Sequence, residues 1–393
     1  MNLGFMYKPL SLFTVSVLML ACAPNSAVDN QDLGLSQPQT ADAEQTFDVA
    51  VPMSSDTSSP VSNLDGLDAG HLDVGLIDAE TVAPLYPNDD ELRVNHLQAL
   101  GTHNSYHIAP DLMFLPWNYT HLPLDEQLGS QGVRQFELDI YQNQMGTFDV
   151  YHILFADDGT TCATLTECLT VMKTWSDQNP GHHPILVLIE PKGTVDPPDM
   201  VISKLNSTVL ETWGRQRILT PDMVQGDQAN VRDGLAVHGW PTLGATRNRL
   251  IVILHTSGAL REANTQGLSS GEPSVLFSDA YGDVNAPYAA YHSMNGPIGS
   301  QASIRAVVEA NHLVRTRADS DGEETETLDY ERANAALESG AHFISTDFPF
   351  PASTQQYGFV IPEGNPSRCN PLTAPATCQS VHIENLYNQT VEP

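Results

Sequence analysis

Three apolar runs in the chain end on polar residues that a simple turn would not need. Leu97-Gln98-Ala99-Leu100 leads through Gly101 and Thr102 to His103 and Asn104, Val133 to Asp139 finishes in Glu137-Leu138-Asp139, and Ile185 to Ile189 stops at Glu190. Runs of this length and apolar content predict buried strands. Three strands therefore deliver imidazole and oxygen-bearing side chains from their C-terminal ends.

Beyond Arg93 such pulses alternate with helical periodicity. The pattern predicts a helical start at Pro123–Leu128, a short strand at Val150–Leu154, and helices over Thr164–Gln178 and Met200–Trp213. Strands follow at Leu250–His255, His312–Arg317 and His342–Thr346, with a helix over Tyr330–Ser339 between the last two. Seven or eight βα-like units predict an α/β fold of the TIM (β/α) barrel type, regular or distorted. A doubly wound sheet fits less well because no Gly-rich phosphate turn opens it. In a barrel the C-terminal strand ends form the active site, which gives the three polar ends a meaning.

The first ninety residues read differently. Met1 to Ala21 holds one cation, Lys8, before an apolar stretch from Leu10, and Met19-Leu20-Ala21-Cys22 resembles a lipoprotein cleavage box. Residues 1–22 are therefore expected to be an export signal with Cys22 acylated, the alternative being ordinary cleavage near Ala21 or Ala23. Residues 23–90 are rich in Asp, Ser, Pro and Gln, and no Lys or Arg lies between Lys8 and Arg93. A stretch so poor in apolar residues is expected to be a disordered acidic linker. Residues 91–393 are expected to form the (β/α) barrel and to carry any active site. The protein is expected outside the cytoplasm, lipid-anchored or otherwise secreted. Without Cys22, the remaining Cys162, Cys168, Cys369 and Cys378 form two close-spaced pairs, expected as disulfides in an oxidising compartment. A net charge of −31 excludes nucleic acid as a partner and makes anionic lipid awkward without a bridging cation.

Asn104, Glu137, Asp139 and Glu190 offer only oxygen donors, and Glu137 and Asp139, two apart on a strand, share a face. Such a set suits calcium or magnesium, and calcium outside a cell, whereas zinc would recruit His or Cys. A lone acid would more simply cap a strand or pair with an Arg such as Arg134, but four such groups at three strand ends favour a metal. His103 and His152 supply the acid and base that a metal site of this kind needs. His107, His182, His183, His238 and His292 are assigned to structural or surface roles. Lys192, Arg315 and Arg317 are candidates for a phosphate group, with ion pairing to the acids as the alternative. Phe114, Leu115, Trp117 and Tyr119 either form an apolar rim that meets lipid or pack over the barrel.

Gly101-Thr102-His103-Asn104-Ser105-Tyr106-His107, Phe136-Glu137-Leu138-Asp139, Tyr151-His152, Cys162 with Cys168, Trp175 to Pro180, Leu188-Ile189-Glu190-Pro191-Lys192, Val314 to Asp319 and Ser345 to Pro349 together resemble the secreted, calcium-dependent, phosphoinositide-specific phospholipase C family of bacteria and fungi. The resemblance runs from about Leu92 to Pro351. It implies calcium ligands at Asn104, Glu137, Asp139 and Glu190 and catalytic histidines at His103 and His152. By analogy to the eukaryotic enzymes, which share the core of the pattern, His152 is the acid. The implied reaction is attack by the inositol 2-hydroxyl on phosphorus, giving diacylglycerol and a cyclic inositol phosphate. The calcium-independent bacterial branch carries Arg where Asp139 stands, so this chain is expected to need the metal. It departs from the eukaryotic enzymes in lacking a lipid-binding or EF-hand module, and Ile153 to Asp157 does not match theirs, which leaves the substrate contacts near His152 open. Two other readings are a glycerophosphodiester phosphodiesterase or sphingomyelinase-D-like enzyme on a related barrel, and a catalytically silent calcium-dependent surface protein. The expected partner is a phospholipid at a membrane surface, and no protein partner is implied.

Overall fold

Alternation along eight short strands decides which residues meet at the centre of this molecule. The computed structural model describes residues 86–111, 114–268, 270–320, 322–351, 356–362 and 366–384. The expected export signal, Cys22 and nearly all of the expected linker lie outside the described residues. Among the described residues no helix is long and apolar enough to cross a membrane.

The strands are β1 (Leu97–Thr102), β2 (Gln135–Gln142), β3 (Phe148–Val150), β4 (Ile185–Gly193), β5 (Leu250–Leu254), β6 (Phe277–Ser278), β7 (Tyr291–Ser293), β8 (Leu313–Arg317), β9 (Phe343–Thr346) and β10 (Ser367–Cys369). Eight run parallel in the order β6-β5-β4-β2-β1-β9-β8-β7. A bridge between Asp279 and Tyr291, with the Ala280 N–H donated to the Tyr291 carbonyl at 3.0 Å, joins the two ends into a nearly closed barrel. The ring is distorted beside β1. Strand β2 meets β1 only at Gly101↔Gln135, and β10 fills the lower part by pairing antiparallel with Leu97–Ala99. A side chain at Gly101 would collide with that of Gln135, so glycine lets the two strands approach there.

Two apolar layers follow from the period of two. Leu97, Ala99, Leu188, Ile253, Phe277, Leu313 and Phe343 pack together in the barrel interior. Phe136, Leu138, Val187, Ile189, Val252, Leu254 and Ile344 face outward and pack with the helices, among them Leu165–Gln178 and Pro198–Trp213. The first of these helices starts where expected. The Thr164 hydroxyl accepts the Glu167 N–H at 3.2 Å while the Glu167 carboxylate accepts the Ala163 N–H at 2.8 Å, a reciprocal cap. Cys162–Cys168 and Cys369–Cys378 are disulfides.

Three expectations change. The strand expected at Val150–Leu154 is β3, ending at Val150; the chain then turns, with Ile153 and Asp157 exchanging backbone hydrogen bonds of 2.9 and 2.8 Å. Strands β6 and β7 are too short to register as apolar runs, so the ring was legible only in part. Packing also begins before residue 91: Tyr86 is buried under the Arg247 guanidinium at 3.5 Å, and Arg247 also grips Asp89 at 2.6 and 2.8 Å.

Candidate active site

Because the pleat sends Leu188, Ile253, Phe277, Leu313 and Phe343 inward, the residues two or four positions later point into the same axis at the C-terminal mouth. These are Glu190, His255, Asp279, Arg315 with Arg317, and Asp347. The same parity places Glu137 and Asp139 on β2 inward, with Asp139 in register with Glu190. Strand β1 brings His103 and Asn104. Asn104 takes a left-handed conformation, φ 41°, which asparagine tolerates. Its turn is pinned to β2 on both sides, since the Ser105 N–H donates to the Glu137 carbonyl and the Ser105 hydroxyl accepts the Glu137 N–H, each at 2.9 Å.

His103 and His152 are each anchored by a buried carboxylate. His103 Nδ1 lies 2.8 Å from Asp347 Oδ1, and Arg317 holds the other oxygen of Asp347 at 2.7 Å. Burial and the Arg317 charge lower the proton affinity of His103, against the pull of Asp347. Asp347 stays ionised: burial opposes this, but Arg317 and His103 outweigh it and hold the carboxyl well below the usual range. His121 donates from Nε2 to the His103 carbonyl at 2.9 Å. On the other side, Asp157 accepts from His152 Nδ1 at 2.7 Å and from His107 Nε2 at 2.8 Å. His107, expected to be merely structural, is thus part of the support for His152. Trp117 meets the His152 ring edge-on at 5.9 Å and Tyr119 is buried against His107, so this loop packs over the site, leaving Phe114 exposed.

The acids between the histidines are in mutual contact with cations. Arg315, fully buried, pairs with Glu137 and with Asn295 at 2.6 Å. Burial would raise the Glu137 carboxyl, but Arg315 and nearby histidines bring it down to about 2. Lys192 Nζ bridges Glu190 at 2.7 Å and Asp139 at 3.5 Å. Asp139 is fully buried, and neither carboxylate oxygen has a hydrogen-bond partner of normal geometry. Burial, with Glu190 and Glu137 nearby, pushes its carboxyl well up despite Lys192. A buried carboxylate with no hydrogen bond of normal geometry and only a 3.5 Å contact to Lys192, in register with Glu190 and near Glu137, belongs to an oxygen-rich set that fits calcium. Lys192, Arg315 and Arg317 all pair with the site's own acids.

Residues 92–149 and 143–371 match the model of the phosphoinositide phospholipase C, Ca2+-dependent, family. The chain belongs to this family. The structure of a Ca2+-dependent phosphatidylinositol-specific phospholipase C from Streptomyces antibioticus shares the fold with a TM-score of 0.51 at 16% identity, covering 65% of this chain and 95% of that one. A calcium-dependent phosphoinositol-specific phospholipase C from a Gram-negative Pseudomonas gives 0.52 at 17% identity, covering 73% and 99%. No curated protein sequence matches significantly. This phospholipase C is accordingly a calcium-dependent phosphodiesterase acting on phosphatidylinositol. Its fold brings Glu137 and Glu190 together at the mouth with Asp139 in register beside Glu190, sets His103 and Asn104 directly after β1 and His152 two residues after β3, and pairs Lys192, Arg315 and Arg317 with Glu190, Asp139, Glu137 and Asp347. To these the structure adds Asp347, Asp157, His107, His255 and Asp279. Asp347 has a signal in the sequence, as it too ends a strand; His255 has a weaker one, lying two past an inward Ile.

Proposed function

We propose that the enzyme cleaves phosphatidylinositol by intramolecular attack of the inositol 2-hydroxyl on phosphorus. The products are diacylglycerol and a cyclic inositol phosphate. The observation that carries this reading is the pair of imidazoles, His103 and His152, each fixed at Nδ1 by a buried carboxylate. An Nδ1–H given to a carboxylate leaves Nε2 to face the substrate, the arrangement that orients a histidine for proton transfer.

Calcium held by Asn104, Glu137, Asp139 and Glu190 would supply positive charge that lowers the hydroxyl pKa and offsets charge on the phosphoryl oxygens. His103, whose proton affinity burial and Arg317 reduce, is suited to receive the 2-hydroxyl proton at Nε2. As the new oxygen–phosphorus bond forms and the bond to the diacylglycerol oxygen breaks, His152 gives its Nε2 proton to that oxygen. Arg315 and Lys192 keep Glu137, Glu190 and Asp139 in place. An acylated Cys22 followed by the acidic segment would hold the barrel near its lipid, a proposal that rests on the sequence.

The test compares phosphatidylinositol with its 2-O-methyl analogue at saturating calcium. We expect the analogue to resist cleavage. Equal cleavage would move the protein to the water-attacking phosphodiesterases, and activity unchanged by a chelator would remove calcium from the reaction.

A further inference from the structure

His255 stands apart from the residues that the family resemblance implies, yet it faces the same cluster. Its backbone N–H donates to the Ile189 carbonyl at 2.8 Å, which sets it directly beside Glu190 at the mouth. Its Nδ1 lies 2.7 Å from Asp279 Oδ2, and Asp279 is fully buried and oriented by the N–H groups of Tyr281 at 2.8 Å and Ser293 at 3.1 Å. That places the imidazole proton on Nδ1 and turns the Nε2 lone pair toward the acids. Among the described residues Nε2 has no hydrogen-bond partner; Glu190 Oε2 is 3.9 Å away, beyond hydrogen-bond range. A carboxylate–histidine pair with a free Nε2 aimed at further carboxylates is the arrangement by which proteins present imidazole to a metal.

One ligand atom each from Glu137, Glu190 and His255 lies within 4.8 Å of the others. Donors bound opposite one another to a single ion at about 2.0–2.4 Å would be separated by no more than this. Glu137 gives one oxygen to Arg315 and Glu190 gives one to Lys192, so each carboxylate retains its second oxygen. The carboxylate of Asp139, fully buried next to Glu190 with no hydrogen bond of normal geometry and only a 3.5 Å contact to Lys192, is a separate sign that the cluster is built to receive a cation.

We propose that His255 is a nitrogen ligand of this centre, giving it an affinity for transition-metal cations of the manganese-to-zinc class at a position that shares Glu137 and Glu190 with calcium. An all-oxygen set selects hard cations, whereas imidazole favours borderline ones. Sharing two carboxylates makes the two kinds of ion mutually exclusive. The inference rests on the reading that Glu137 and Glu190 hold a metal, and adds one residue and one class of ion to it.

Manganese(II) serves as the probe. Electron spin-echo spectroscopy of the full protein with one equivalent of Mn2+ is expected to show coupling to a ¹⁴N nucleus, and excess Ca2+ should abolish that signal. In His255→Gln the nitrogen coupling should vanish and Mn2+ affinity by calorimetry should fall by about 10-fold or more, with Ca2+ affinity changed less than about threefold. Asp279→Asn, which keeps the imidazole but removes its support, should weaken Mn2+ by a similar factor. Thermal unfolding of each variant checks that it is folded. Absence of Mn2+ binding, absence of nitrogen coupling in the parent protein, or unchanged Mn2+ affinity in folded His255→Gln would each overturn the proposal. Glu137→Gln separates the two readings. If it weakens Ca2+ while His255→Gln leaves Mn2+ untouched, only the His255 inference fails; if Ca2+ affinity is indifferent to Glu137→Gln, the carboxylate reading fails with it.

Discussion

Asp347 lies 2.8 Å from Nδ1 of His103 across 244 positions of sequence, so the last strand of the barrel sets the orientation of a side chain on the first. Asp347→Asn removes the negative charge that fixes the imidazole and supports its protonated form. Turnover on phosphatidylinositol should fall by at least about 10²-fold. Calcium half-saturation should move by no more than about twofold, because Asp347 is not among the acids of the cluster. Arg317 loses its closest counter-charge in the same variant, and the melting temperature should drop as well. Steady-state kinetics across a calcium titration, run well below the melting temperature, separates the two effects.

Asp157 serves two rings at once. Replacing it with Asn should lower kcat by about 10²-fold with little change in KM, since His152 is misdirected at the proton-transfer step. His107→Gln removes one of the two imidazoles on Asp157, along with the Nδ1 bond to the Tyr119 carbonyl, and should cost less, about 10-fold. Equal losses in the two variants would mean that His107 does more than hold the carboxylate.

Acid should weaken the fold well above the pH at which Glu137 and Glu384 protonate. His121 and His182 are lowered to about 4 and His183 and His342 to about 3, in each case chiefly by burial. A histidine whose folded pKa is depressed stabilises the fold above its unfolded value near 6.5, and that stability is lost as pH falls toward the folded value. Each such group contributes a slope of up to about 1.4 kcal/mol per pH unit inside the window. The urea midpoint is therefore expected to be lower at pH 5 than at pH 7 by more than about 1 kcal/mol equivalent. Glu137 and Glu384, both lowered to about 2 by their arginine partners against the effect of burial, remain charged throughout this range. A flat urea midpoint between pH 7 and 5 would contradict the assignment of neutral buried imidazoles.

Phe155 is 90% exposed, immediately beyond His152, with Ile153 and Leu154 also exposed. We expect this exposed apolar tip to contact the lipid surface. Phe155→Ser should reduce binding to phosphatidylinositol vesicles by about 10-fold or more, from the transfer energy of one aromatic side chain. Activity on a soluble short-chain substrate should be unchanged. Vesicle co-sedimentation and a monomeric-substrate assay run in parallel decide the matter.

The parts of this enzyme legible in its sequence are those that rest on local pattern. Ile185–Ile189 and Leu250–Leu254 are continuous apolar runs because both faces of those strands are covered, one by the barrel interior and one by helices. Glu137, Asp139 and Glu190 were visible because carboxylates interrupt such runs. Phe277–Ser278 and Tyr291–Ser293 are strands only through their neighbours, so no run of their own marks them. Val150–Leu154 reads as a strand by its apolar content, yet the chain must turn after Val150 to carry His152 onto Asp157. His255 could not be singled out among 14 histidines before the register of β4 and β5 placed it against Glu190.

The Asp279–Tyr291 bridge ties the circumference of the barrel to its chemistry. The backbone of Asp279 closes the ring, while its side chain holds His255, so a seam of the wall is also a wall of the site. Protein engineers commonly open a barrel or graft a domain at an exposed loop, and the segment between β6 and β7 is an inviting place for it. In this enzyme such a graft would loosen the carboxylate that orients the His255 ring, so a chimera with intact secondary structure is expected to lose the alignment of His255 with Glu137 and Glu190.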